Sequence, residues 1–236
     1  MPAKNTLKLY LENSYYHIYN RGVEKRQIFQ DDQDYAVFLS YLKTYLSPRD
    51  EAKLRLSLAD KSLTYKERVQ LLKYLQLNNF ADEITLLAYC LMPNHFHFLI
   101  KQKSKIAINR FMRSIGTRYT MFFNKKNNRV GPLYQTAYKA KLVTSEEQLL
   151  YLTSYIHRNP LSKDSKTATK GDSFLINELF SQPSSLPEYL GKRNTEWLHF
   201  EEILDYFSAT NPSFSYQSFV GQQKDFSKVS NLALDF

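Results

Sequence analysis

The chain predicts an α+β fold, a four-stranded antiparallel sheet built βαββαβ with one more helix after the last strand. Three observations lead there. Two apolar, β-prone runs, Leu86–Leu91 and Phe96–Ile100, flank a Pro93-Asn94 break and predict a hairpin. Apolar residues recur at helical spacing in two separate stretches, 35–45 and 108–122. An alternating segment, Ala137–Val143, runs into Thr144-Ser145-Glu146-Glu147, which has the spacing of a helix-starting capping box.

Taken in order, Tyr15–Tyr19 reads as the first strand, closed by the turn-forming Asn20-Arg21-Gly22. Asp31 and Asp34 then supply acidic groups to the start of a helix carrying Tyr35, Phe38, Leu39, Leu42 and Tyr45, which Ser47-Pro48 ends. Residues 51–79 are charged and helical in pattern, so an insert of one or two helices over about 47–82 separates this helix from the hairpin. After the hairpin, Ile108, Phe111, Met112, Ile115, Tyr119 and Phe122 form one apolar helical stripe, with Arg110, Arg113 and Thr117 on another face. Asn127-Asn128 and Gly131-Pro132 mark a loop before the fourth strand. The last helix runs through Leu149, Leu152 and Tyr155 until Asn159-Pro160, because the residue before proline disfavours helical backbone. Two domains are expected, 1–161 and an irregular, partly helical extension, 162–236, with a helix at 200–207.

Composition narrows the function. With 43% hydrophobic and 23% charged residues the chain is an ordinary globular protein. Its one cysteine, Cys90, lies in an apolar run, which excludes a disulfide framework and a cysteine-rich zinc module. Six glycines and no glycine-rich phosphate loop argue against nucleoside-triphosphate chemistry. No segment approaches the ~18 continuous apolar residues of a membrane span, so a cytoplasmic protein is expected. The net charge is +9, and its placement matters more than its size. From Ile84 to Ser145 there is no acidic residue, while Lys101, Lys103, Lys105, Arg110, Arg113, Arg118, Lys125, Lys126, Arg129, Lys139 and Lys141 fall there. A phosphate polymer is the natural partner of such a block; the competing reading is a generally basic, solvated face.

Inside that block stands His95-Phe96-His97. Residues i and i+2 of a strand share a face, so both imidazoles project together and Phe96 goes the other way. The pair is either half of a metal site or two polar groups on a wet strand face. On the last helix Tyr155 and Asn159, four apart, share a face. If that face meets the histidines, the site holds two imidazoles, a carboxamide oxygen and a phenol. Such a mixed set admits Mg²⁺ or Mn²⁺ as a Lewis acid on a phosphoryl oxygen, with the phenol as nucleophile. Tyr151 lies on the same helical face and is the rival nucleophile, and Asn159 before Pro160 also reads simply as a helix end. His17 is given no ligand role, His157 is expected to contact DNA or solvent, and His199 is expected to be incidental. Arg21 reads as a phosphate or base contact or as a turn residue.

The runs Tyr16-His17-Ile18-Tyr19-Asn20-Arg21-Gly22, Leu91-Met92-Pro93-Asn94-His95-Phe96-His97 and Tyr155-Ile156-His157-Arg158-Asn159-Pro160, with Ile28-Phe29 and Asp34-Tyr35 between them, resemble the signature set of the REP-associated tyrosine transposases. These belong to the single-tyrosine His-hydrophobe-His (HUH) endonucleases. The resemblance covers residues 15–160 and continues loosely through Ser184-Ser185 to Tyr189-Leu190-Gly191. It implies a ferredoxin-like or RRM-like fold and a divalent metal on His95 and His97, completed by Asn159. It further implies attack by Tyr155 on single-stranded DNA, leaving a 5′-phosphotyrosine and a free 3′-hydroxyl, with hairpin-forming repeats as targets. A monomer is favoured on the same ground, with a homodimer as the other state found in such families. The 47–82 insert and the continuation Leu161-Ser162-Lys163-Asp164 depart from the family's pattern, and both lie outside the proposed catalytic set. DNA contacts are expected from Arg21, Lys101, Lys103, Arg110, Arg113, Arg118, Lys139 and Lys141. Two rival functions remain at this point: a non-catalytic nucleic-acid-binding module, and a metal-dependent hydrolase that activates water.

Overall fold

The computed structural model describes residues 8–161, 178–222 and 227–232. Strands β1 (Ser14–Arg21), β2 (Ile84–Met92), β3 (His95–Gln102) and β4 (Lys139–Leu142) form one antiparallel sheet in the order β2-β3-β1-β4. Helix α1 (Asp32–Leu46) connects β1 to β2, with α2 (Glu51–Ser57) and α3 (Tyr65–Gln76) inserted after it, and α4 (Ala107–Lys126) connects β3 to β4. This is the βαββαβ arrangement expected, with α5 (Glu146–His157) after the last strand.

Local chemistry sets the element ends. Asp31 caps α1 by accepting from the Asp34 amide, and Thr64 with Glu67 closes a full capping box on α3. At α5 the cap sits one residue later than the sequence suggests: Ser145 accepts from the Gln148 amide, while the Gln148 side chain takes the Thr144 amide and hydroxyl. The Pro93-Asn94 turn joins β2 to β3 in a tight hairpin, since Met92 pairs with His95. The loop after β1 braces that turn from outside. Ile28 and Phe29 amides both donate to the Pro93 carbonyl, and the Gly22 amide donates to that of Asn94. Any side chain at Gly22 would meet the Arg26 carbonyl at 2.3 Å, so the loop needs glycine there.

The sheet is covered on both faces, whereas the element order alone predicts helices on one. On the first face α1 and α4 lay Phe38, Leu42, Phe111, Ile115 and Tyr119 against Tyr16, Ile18, Phe96, Phe98 and Ile100. Phe123, not Phe122, ends the α4 stripe as a buried residue. On the second face α5 places Leu149, Leu152 and Ile156 over Leu87, Ala88, Cys90 and Leu99, and described C-terminal residues complete that core. These come from short helices Leu186–Tyr189, Glu201–Leu204 and Tyr216–Gln222 and from the 3-10 turn Ser227–Val229. The expected helix at 200–207 thus shrinks to four residues. The polar stretch from Ser162 lies outside the described residues up to 177. The expected insert forms α2 and α3, neither of which buries a residue.

Candidate active site

His95 and His97 begin β3 and point to the second sheet face, with ring centroids 5.0 Å apart and planes nearly perpendicular. Register places Tyr19 beside His97 and Arg21 beside His95 on β1. Both imidazoles are buried, so neither lies on a wet strand face.

The hydrogen bonds around His95 decide its protonation. Nδ1 lies 2.6 Å from Asn94 Oδ1, and the Asn94 amide is oriented because its Nδ2 donates to the Lys25 carbonyl at 3.2 Å. Nδ1 is therefore the donor, and in neutral His95 the lone pair is on Nε2. That nitrogen faces Asn159 Oδ1 at 3.3 Å. The Asn159 amide is oriented in the same way, with Nδ2 donating to the Tyr155 carbonyl at 3.3 Å. Two electron-pair donors thus confront each other with no proton between them in neutral His95. Two ligands about 2.1 Å from one cation, at right angles or slightly wider, lie roughly 3.0–3.4 Å apart, so a divalent ion fits this pair of donors.

His97 sits deeper. Its Nδ1 is 2.9 Å from His17 Nε2, and His17 Nδ1 is 2.7 Å from the Leu232 carbonyl. Complete burial pushes the His17 pKa down to about 4, so this imidazole is neutral at physiological pH. Helix α5 sets the half-buried Tyr155 over both rings, its centroid 5.7 Å from His97 and 5.9 Å from His17, edge-on to each. Tyr151 packs instead on Phe219, centroids 5.6 Å apart. Although α5 stops at His157 and Asn159 follows it, the Asn159 side chain still turns back to the site through its bond to Tyr155.

Two expectations are corrected. His157 touches neither solvent nor a surface that DNA can reach: it is fully enclosed, with Nδ1 2.6 Å from the Tyr216 hydroxyl and Nε2 2.7 Å from the Ser185 hydroxyl. Burial lowers its pKa to about 3, so it serves as a neutral joint between α5 and the C-terminal segment. The acid-free block also does not form one surface. Arg110, Arg113 and Arg118 ride on α4, across the sheet from the histidines; Arg110 pairs with Glu83 and Arg118 lies 3.9 Å over the Tyr41 ring. Lys103 follows the far end of β3 from His95. Lys101 shares the histidine face but pairs with Glu202 at 3.2 Å. Arg21 stays on that face beside His95, its Nη2 3.4 Å from Gln135 Oε1. Lys139 and Lys141 are exposed on edge strand β4, opposite Tyr19 and His17. His199 is exposed.

Sequence reasoning missed Asn94, His17, Arg158 and Leu232. Arg158 is buried and gives Nη1 to the Val220 and Gly221 carbonyls at 2.6 and 3.1 Å. The signal for His17 lay in the strand alternation that puts it on one face with Tyr19, but pairing register, not sequence spacing, brings it to His97.

Residues 10–159 match the family described as IS200-like transposases. The chain belongs to that family. The matched span contains His95, His97, Tyr155 and Asn159 and makes the protein a transposase, a DNA-processing enzyme. Among solved structures, a REP-associated tyrosine transposase bound to a REP hairpin is similar at a TM-score of 0.46 and 10% identity, covering 89% of this chain and 96% of that one. No curated protein sequence matches the chain. No helix among the described residues of this IS200-like transposase is long and apolar enough to cross a membrane.

Proposed function

We propose that this transposase cleaves and rejoins single-stranded, hairpin-forming DNA through a covalent 5′-phosphotyrosine on Tyr155, with Mg²⁺ or Mn²⁺ held by His95, His97 and Asn159. The observation that carries the reading is convergence: Tyr155 stands edge-on to His97, one turn from an Asn159 oxygen facing His95 Nε2. Of the two tyrosines on that helical face, Tyr155 is the one turned toward the imidazoles.

A bound divalent ion would supply Lewis-acid stabilisation of charge on a non-bridging phosphate oxygen. The Tyr155 oxygen attacks phosphorus, the bond from phosphorus to the 3′ oxygen breaks, and the phenol loses the proton count that the departing 3′ oxygen gains. A phenol is a weak nucleophile at its ordinary pKa of ~10, yet the ester it forms keeps the phosphodiester energy for rejoining. Arg21, Lys139 and Lys141, on the histidine face, are the basic residues placed to receive the DNA backbone. The hairpin preference rests on the motif resemblance to the REP-associated proteins.

The test is adduct formation with Mn²⁺ and a hairpin-bearing single strand. Wild type should give a protein-DNA adduct stable to denaturation, and Tyr155→Phe should give none while still binding the strand. Cleavage without an adduct that survives Tyr155→Phe would instead establish water as the nucleophile. Binding without any cleavage by wild type would reduce the protein to a nucleic-acid-binding module.

A further inference from the structure

The histidine with no assigned role is sealed in the site beside His97. His17 is fully enclosed on β1, its ring nearly parallel to that of His97 (14°) with centroids 5.1 Å apart. Both its nitrogens are in hydrogen bonds, so it is not itself placed to ligate. What it can do is decide where the His97 proton sits.

The Leu232 carbonyl only accepts, so His17 Nδ1 carries a hydrogen and donates it across 2.7 Å. A neutral ring has one N–H, which leaves His17 Nε2 as an acceptor. His97 Nδ1 must then donate across 2.9 Å, and the lone pair of His97 is assigned to Nε2. A metal binds imidazole only through a lone pair, and the hydrogen bond on the opposite nitrogen selects which one is offered. The carbonyl at the end of this relay is firmly seated. Val229 and Leu232 are buried in the core beneath α5, Leu232 N donates to the Val229 carbonyl at 2.9 Å, and Lys228 pairs with Glu147 of α5 at 3.1 Å. This segment lies beyond the 10–159 span that carries the family match.

We infer that His17 is a positioning residue that holds His97 in the tautomer a metal requires, and that the C-terminal turn 227–232 supports the metal centre through the Leu232 carbonyl. The inference rests on the metal reading above. Asn94 performs the corresponding service for His95, its own amide held by the carbonyl of Lys25, a residue at φ 59° in the strained loop. One ligand is thus oriented from the hairpin turn and the other from the chain's far end.

Two measurements on the full chain, without DNA, test this. In ¹⁵N-histidine spectra of metal-free protein, with five rings to resolve, His97 should be protonated on Nδ1 in wild type; protonation on Nε2 would overturn the inference with no substitution needed. In Mn²⁺ titrations read by electron paramagnetic resonance, His17→Leu should weaken binding roughly 10- to 100-fold, the usual loss on removing such a partner. His17→Gln, whose carbonyl can accept from His97, should recover most of that loss, which a merely space-filling role would not predict. Loss of binding in His97→Ala with none in His17→Leu overturns the inference and leaves the metal reading standing. Unchanged binding in His97→Ala overturns the metal reading and the support assigned to it.

Discussion

The two faces of this sheet are built from the same four strands, yet they differ in what their buried residues are for. Under α1 and α4 the contacts are hydrocarbon and aromatic: Phe38 meets Tyr119 at 4.9 Å and Phe29 at 5.2 Å. Under α5 and the C-terminal residues, four imidazoles, those of His17, His95, His97 and His157, with a carboxamide and a phenol, sit within the apolar wall. Burying such groups costs free energy unless each is hydrogen-bonded, and here some bonds are local, as from His95 to Asn94, while others, as from His17 to His97 and Leu232, span 80 residues or more. One face stabilises the fold. The other uses that rigidity to hold lone pairs and a phenol in fixed directions.

The contrast predicts different responses to substitution. The largest stability loss should come from the first face: Phe38→Ala removes a fully buried ring and should cost about 3–5 kcal/mol in chemical denaturation. Asn159→Ala should leave stability nearly unchanged by comparison, yet weaken Mn²⁺ binding about tenfold or more in a titration of the isolated protein. A large stability loss from Asn159→Ala would make it a structural helix end and blur the distinction between the faces.

Mild acid, between pH 6.5 and 5, should act on the second face through its buried histidines. The folded-state pKa of His157 is depressed to about 3 and that of His17 to about 4, against about 6.5 unfolded. Their neutral forms belong to the folded state, so this stability is fully present above pH 6.5 and is lost as pH falls toward those values. Between pH 6.5 and 5 each should subtract about 2 kcal/mol. Denaturation midpoints at the two pH values should converge in His157→Gln relative to wild type. The smallest effect concerns charge: Lys139→Ala should weaken single-strand binding and reduce its salt dependence, whereas Arg113→Ala, across the sheet, should do neither in a salt titration.

The same division explains what could be read from the chain. The first face obeys a period: Phe38 and Leu42, Phe111 and Ile115 recur at helical spacing, and only the end of the α4 stripe slips, from Phe122 to Phe123. The His95 and His97 pair and Tyr155 stood out because motif spacing survives in one dimension. His157 misled because its partners, Ser185 and Tyr216, lie 28 and 59 residues away. The basic block misled because a run of sequence without acids folds across both faces, leaving Lys139 near the histidines and Arg113 behind the sheet. His17 became legible only with the strand register that sets it diagonal to His97.

The central claim is that the second face assembles one divalent-metal site beside Tyr155. Anomalous diffraction from crystals grown with Mn²⁺ tests it most directly. The account predicts one strong peak within roughly 2.5 Å of His95 Nε2, His97 Nε2 and Asn159 Oδ1, with the Tyr155 ring still on that side of the sheet. A saturated crystal with no peak there, or a peak bound by other residues, would contradict it.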